Sequence, residues 1–106
     1  MEEGVLGLLG LAQRAGVLVA GTAQVRAALQ RGNLKLVIVA VDRSRRTEEK
    51  IVRLAHGRAV RVVLGPTAIE LGRRLGRETV QAVGVTDPEF AKGIDAESVP
   101  IGARRS

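Results

Sequence analysis

The stretch Arg14–Val41, RAGVLVAGTAQVRAALQRGNLKLVIVAV, compresses a strand, a Gly-Thr turn, a short helix and a second strand into one unit. Its reading decides the fold. Val17 to Ala20 is a short strand, after which Val25, Ala28 and Leu29 fall at helical spacing and Gly32 closes the helix. Leu36 to Val41 shows no polar–apolar alternation, which predicts a central strand covered on both faces. Gly21-Thr22 therefore stands where strand passes into helix, and the backbone N–H groups of Thr22, Ala23 and Gln24 have no helical acceptor. Such a start suits an anion or a polar base edge. Ala23, Gln24, Ala27 and Arg31 project away from the buried stripe, giving a face of small residues that a phosphate backbone can approach closely.

The flanks extend the same alternation. Val5, Leu8, Leu9 and Ala12 place a first helix at about residues 4 to 14, in which Gly4, Gly7 and Gly10 read as permitting close packing. Downstream, Asp42 to Arg46 is a charged loop, and Thr47 followed by Glu48 and Glu49 reads as the start of a third helix ending at Gly57. Val60 to Leu64 is a third strand. Thr67 and Glu70 have capping-box spacing before a fourth helix that closes at Gly76. Val80 to Thr86 is a fourth strand, and Asp87-Pro88 opens a last helix carrying Phe90 and Ile94. This predicts an α/β protein, a three-layer α/β/α sandwich on a four-stranded mixed sheet. Residues 1–95 form its single domain and 96–106 an irregular basic tail. A receiver-like doubly wound domain shares the alternation but normally needs a fifth strand.

Composition narrows the function classes. The 106 residues carry net charge +6, with a pI near 11.3, which makes nucleic acid the first partner to consider. Arg outnumbers Lys fourteen to three, and a guanidinium donates two parallel hydrogen bonds to phosphate. A GC-rich genome would enrich Arg, Ala, Gly and Val as well, so the net charge weighs more than the choice of cation. There is no cysteine, hence no disulfide, thiol chemistry or thiolate metal site. Leu34 to Val41 falls far short of the roughly 20 apolar residues of a membrane span, and Met1-Glu2-Glu3 does not open a signal peptide. The expectation is a soluble, cytoplasmic chain.

Chemistry-bearing clusters are weak. Asp42 and Asp87 follow strands, where α/β folds collect ligands, but Asp87 sits in helix-cap context and Asp42 lies beside Arg43, Arg45 and Arg46. His56 ends a helix, and Ser44, Ser98 and Ser106 lie in no strained nucleophile turn. No enzyme, metal or cofactor is expected. Phe90 is the only aromatic ring, so RNA recognition by base stacking is excluded in favour of backbone amides, side-chain amides and Arg.

The segments LLGLAQRAGVLVAGTAQVRAALQRGNLKLVIVAVD, ELGRRLG and AVGVTDPEFAKGI, in that order and spacing, closely resemble the L-seven-Ae/L-thirty-e superfamily of ribosomal and kink-turn RNA-binding proteins, in its bacterial YlxQ-like branch. The resemblance spans residues 5 to 94. It implies an RNA surface made by Gly21 to Ala27 and by the loop Gly76 to Val80. On that surface Gly21, Thr22, Ala23 and Gln24 would approach RNA by backbone and amide, and Arg26 and Arg31 by phosphate contact. Ala27 lies on the same helix, and Arg77, Glu78, Thr79 and Val80 would line the second loop. Best-known relatives follow Gly-Thr with Asn-Glu and, three residues later, Lys; here Ala23, Gln24 and Ala27 stand at those positions. The implied function is a monomeric, non-enzymatic binder of structured RNA, ribosomal or kink-turn-like, in translation or ribosome assembly and in contact with the ribosome. Two alternatives are a protein-interaction module that has lost selective kink-turn binding and a small enzyme or nucleotide-binding domain using Asp42 and Asp87.

Overall fold

The computed structural model describes residues 2–102, with side chains from Gly4 onward. Along the chain run α1 (Glu2–Arg14), β1 (Leu18–Ala20), α2 (Thr22–Arg31), β2 (Leu36–Val39) and α3 (Arg45–Thr47). A π-helical turn, Glu48–Val52, leads directly into α4 (Arg53–Gly57). Then come β3 (Arg61–Leu64), α5 (Ala68–Leu75), β4 (Ala82–Val85), α6 (Pro88–Ala96) and β5 (Val99–Pro100). The sheet order is β1-β4-β2-β3-β5, with β2 and β3 parallel and every other pair antiparallel.

The α/β class and the mixed sheet match the sequence reading, but the sheet has five strands where four were expected. The extra strand comes from the segment read as an irregular tail. Val99 pairs with Leu64 and Pro100 with Val63, and the Ile101 N–H donates to the Val62 carbonyl at 2.8 Å. A two-residue strand containing proline has no sequence periodicity, and it survives because it lies at the sheet edge, where a missing donor is tolerated. The remainder of that tail, residues 103–106, lies outside the described residues.

All four residues of β2 are buried, which explains its lack of alternation. Leu36 and Ile38 join Val63, Val83 and Val85 in a cluster with Val5 and Leu9 of α1, Leu71 and Leu75 of α5 and Ile94 of α6. Val37 and Val39 join Val62 and Ala82 in another with Val25 and Leu29 of α2, Ile51 and Val52 of the π-helical turn and Ala55 of α4. Successive strand residues point to opposite faces, so one four-residue strand anchors both clusters. Each Val, Leu or Ile among them contributes about 1.5–3 kcal/mol by burial. Phe90 is half-buried against the first cluster.

Helix ends follow local chemistry. Thr67 and Glu70 form the expected capping box of α5, and Gly76 closes that helix in the left-handed conformation. Asp87 accepts from the Phe90 N–H at 2.9 Å with Pro88 in the first turn. The third helical segment starts three residues earlier than Thr47: Ser44 is the cap, its hydroxyl accepting from the Thr47 N–H at 3.1 Å. Glu48 and Glu49 mimicked a helix start while lying one turn inside. In α1, Gly4 and Gly10 do lie against the Glu97 and Arg74 side chains, whereas Gly7 faces open space.

Candidate nucleic-acid interface

The strand register gathers one set of loops. Ala20 is opposite Val83, while Val39 lies between Ala82 and Leu64, so the carboxyl ends of β1, β2 and β3 share an end of the sheet with the start of β4. Hydrogen bonds then tie the neighbouring segments together: Gly21 N–H to the Ala82 carbonyl (2.9 Å), Ala40 N–H to the Gln81 carbonyl (2.9 Å) and Val41 N–H to the Pro66 carbonyl (3.0 Å).

Gly21 begins α2 with φ 100° and ψ 147°, a conformation open to glycine and strained for any residue with a Cβ. No side chain caps α2, unlike the capped starts of α3, α5 and α6. Its first-turn donors and the positive end of its dipole are left facing outward. A Cβ on Gly21 would lie 3.6 Å from Nη1 of Arg77, so the loop after α5 brings a guanidinium to the start of α2. The two expected surface segments are therefore adjacent.

The loop after α5 is held by a close approach. A Cβ on Gly72 would lie 2.6 Å from the Glu78 carbonyl oxygen and 2.8 Å from the Thr79 Cα, and the Arg77 N–H donates to the Gly72 carbonyl at 2.7 Å. Arg77, Glu78 and Thr79 are exposed. Val80 is not: it is 2% exposed and packs in the core, with its N–H bonded to the Ala68 carbonyl at 2.9 Å. Its side chain anchors the loop and lines no surface.

On α2, Ala23, Gln24 and Arg26 are exposed and Thr22 and Ala27 half-buried. Arg31 is also exposed, but it occupies the last position of the helix, about 14 Å along the axis from Thr22. The structure does not bring Arg31 to the end of the sheet where the others meet.

Residues that the sequence reading did not assign to the RNA surface also converge there. Thr47, 3% exposed, donates its hydroxyl proton to Oε1 of Gln81 at 2.8 Å and lies 3.4 Å from the Thr22 hydroxyl. The Ser44 N–H donates to the same Oε1 at 2.8 Å, and the Ser44 hydroxyl to the Thr47 hydroxyl at 3.3 Å. Arg45 and Arg46, exposed beside this cluster, form no ion pair among the described residues, whereas Arg43 is engaged with Glu48 at 2.6 Å and the Ala40 carbonyl at 3.2 Å. The sequence offered one signal for this loop, the spacing of Ser44 and Thr47, which the acidic pair after Thr47 obscured.

The two carboxylates considered as catalytic are spent on backbone donors. Asp42 Oδ1 accepts from the Ala68 N–H at 2.9 Å, adding to the α5 cap, and Asp87 caps α6. His56 lies 3.1 Å from the Ile101 carbonyl, bridging α4 to the residue after β5. Among the described residues no three His, Asp or Glu side chains are grouped as metal ligands, and no helix is long and apolar enough to cross a membrane.

Comparison with known proteins gives this arrangement its family. The model of the ribosomal protein L7Ae/L30e/S12e/Gadd45 family matches residues 3–94. The chain belongs to that family. It is 34% identical over 84 residues to the RNA-binding protein YlxQ of Bacillus subtilis (strain 168), covering 79% of this chain and 84% of that one. A solved structure of a Bacillus halodurans protein of unknown function superposes with a TM-score of 0.81 at 34% identity, covering 87% of this family member and 93% of the other chain.

Proposed function

We propose that this family member, a three-layer α/β/α sandwich, is a non-enzymatic, cytoplasmic protein that binds structured, kink-turn-like RNA as a monomer in translation or ribosome assembly. One observation carries the reading: the uncapped start of α2, shaped by Gly21, lies beside the Arg77 guanidinium. Backbone donors and a neighbouring cation together suit the phosphates and base edges of a folded RNA. The name of the YlxQ relative and the net charge of +6 point the same way.

Gly21, Thr22, Ala23 and Gln24 approach the RNA through backbone and amide, with Ala27 leaving room for it. Arg26 and Arg77 neutralise phosphates, and Glu78 and Thr79 border the site. Arg31 takes a phosphate only from an RNA long enough to follow the exposed side of α2. Selectivity has a chain-specific cost. Gln24 offers a neutral carbonyl where a glutamate would accept strongly from guanine N–H groups, a difference of about 1–2 kcal/mol per lost charge-assisted bond.

The test is a titration against a kink-turn RNA, the same RNA with its sheared G·A pairs replaced, and a plain duplex, at several salt concentrations. Tighter binding to the kink-turn RNA, with log affinity falling by about 0.9 per neutralised phosphate against log salt, is expected. Equal weak binding to all three rejects selectivity. No binding at low salt rejects an RNA partner and favours a protein-interaction module on the same scaffold.

A further inference from the structure

We infer that Gln81 is a base-reading residue of the proposed RNA site, presenting its side-chain amide as an oriented donor, and that Thr47 positions it. The inference rests on the RNA-binding reading and deepens it.

The orientation of the amide follows from hydrogen-bond chemistry. The backbone N–H of Ser44 can only donate, so the atom 2.8 Å from it is the oxygen of Gln81, and the NH2 group points the other way. The Thr47 hydroxyl, also 2.8 Å from that oxygen, must give it its single proton. Both remaining contacts of Thr47 are then acceptances: the Ser44 hydroxyl donates to it at 3.3 Å and the Thr22 hydroxyl at 3.4 Å. Every proton in the cluster is thereby assigned. Its outward terms are the two N–H donors of Gln81, which have no partner among the described residues, and the lone pairs of the Thr22 hydroxyl.

The cluster has the features of a reader rather than a packing device. Its hub, Thr47, is the one buried polar side chain among the described residues, so a hydroxyl is kept where an apolar group would fit. Gln81 is half-buried directly before β4, one hydroxyl removed from Thr22 at the start of α2. A rigid amide between α2 and the arginine-bearing loop Arg43–Arg46 offers donors to the carbonyl or ring-nitrogen acceptors of a base. It does so with little rotamer freedom left to lose on binding.

Gln81→Glu separates these roles, because a carboxylate oxygen still accepts from Ser44 and Thr47 while the outward donors become an acceptor. Titration of the kink-turn RNA and the plain duplex is expected to show the affinity ratio between them falling at least about fivefold, with the thermal midpoint held within a few degrees. Thr47→Val, which removes the hub hydroxyl, should lower the same ratio, and Thr47→Ser should restore it. Selective binding by the unaltered protein with an unchanged ratio in Gln81→Glu overturns the assignment and leaves the RNA reading standing. Equal weakening on both RNAs assigns the amide to phosphate and overturns base reading. Failure of the unaltered protein to prefer the kink-turn RNA removes the site's selectivity and this inference with it.

Discussion

Substituting Gly72 by alanine tests whether the loop after α5 is held by a backbone contact. The added Cβ would meet three backbone atoms at once: the Glu78 carbonyl oxygen at 2.6 Å, its carbon at 2.7 Å and the Thr79 Cα at 2.8 Å. Carbon contacts are comfortable near 3.5–4.0 Å, so loop and helix must part by roughly 1 Å. No flexible side chain is available to absorb the displacement. Alanine gains up to about 1 kcal/mol in helix propensity, while overpacking of this kind costs about 1–3 kcal/mol and the 2.7 Å bond from Arg77 to the Gly72 carbonyl is strained as well. The expected net is a loss of about 1–2 kcal/mol, a fall in Tm of roughly 4–15 °C for a domain of this size. Thermal unfolding followed by circular dichroism measures it. The same displacement draws Arg77 away from Gly21, so RNA affinity measured well below the midpoint should fall although Gly72 touches no RNA. A Gly72→Ala protein as stable as the unaltered one would show that the loop yields freely, and the argument that Gly72 fixes it would fail.

Four other substitutions have expected outcomes. Gly7→Ala, in α1 with no atom within 4 Å of the new methyl, should raise stability by about 0.5–1 kcal/mol, and a lower midpoint would mean that α1 packs more tightly there. Thr67→Ala removes the acceptor of the Glu70 N–H and one half of the α5 capping box, for an expected loss of about 0.5–2 kcal/mol in urea unfolding; no loss would mean that Asp42 caps the helix alone. Arg26→Ala and Arg77→Ala should each reduce the salt slope of RNA binding by about one, and an unchanged slope would move that residue off the phosphate path.

Much of the fold was legible because the signals were local and strong. The Leu36–Val41 run, the Thr67–Glu70 box and the Asp87-Pro88 start each state a backbone preference within a few residues; the box and the start appear where the sequence placed them, while the strand begins at Leu36 but ends at Val39, two residues short, with Val41 exposed. The fifth strand was illegible for the opposite reason. Val99 favours a strand and Pro100 disfavours one, and two residues carry no periodicity to decide between them; they form a strand because Val63 and Leu64 offer an open edge, which is a property of the folded sheet. The Ser44 cap failed differently. Two valid cap signals three residues apart competed, and tertiary contacts to Gln81 and Thr22 chose the earlier one.

The site divides along the same line. Gly21-Thr22 was readable since a glycine between strand and helix is a local statement, and its φ of 100° bears that reason out. Its meeting with Arg77 rests on pairings across more than fifty residues, which the family pattern supplied and spacing alone does not. Val80 shows where that pattern was too coarse: its N–H is tied to the Ala68 carbonyl at the start of α5 and its side chain is buried, so this loop position faces the core. The hydroxyl and amide cluster was not legible as a unit: the spacing of Ser44 and Thr47 signals a cap, but nothing local joins them to Gln81 until β2 and β4 bring the three within 3.3 Å of one another. That is the part of the surface where the chain keeps polar side chains while lacking charged readers on α2. The proposed RNA recognition therefore depends on groups fixed by the sheet, and variants that loosen the sheet end should lose RNA selectivity before they lose RNA affinity.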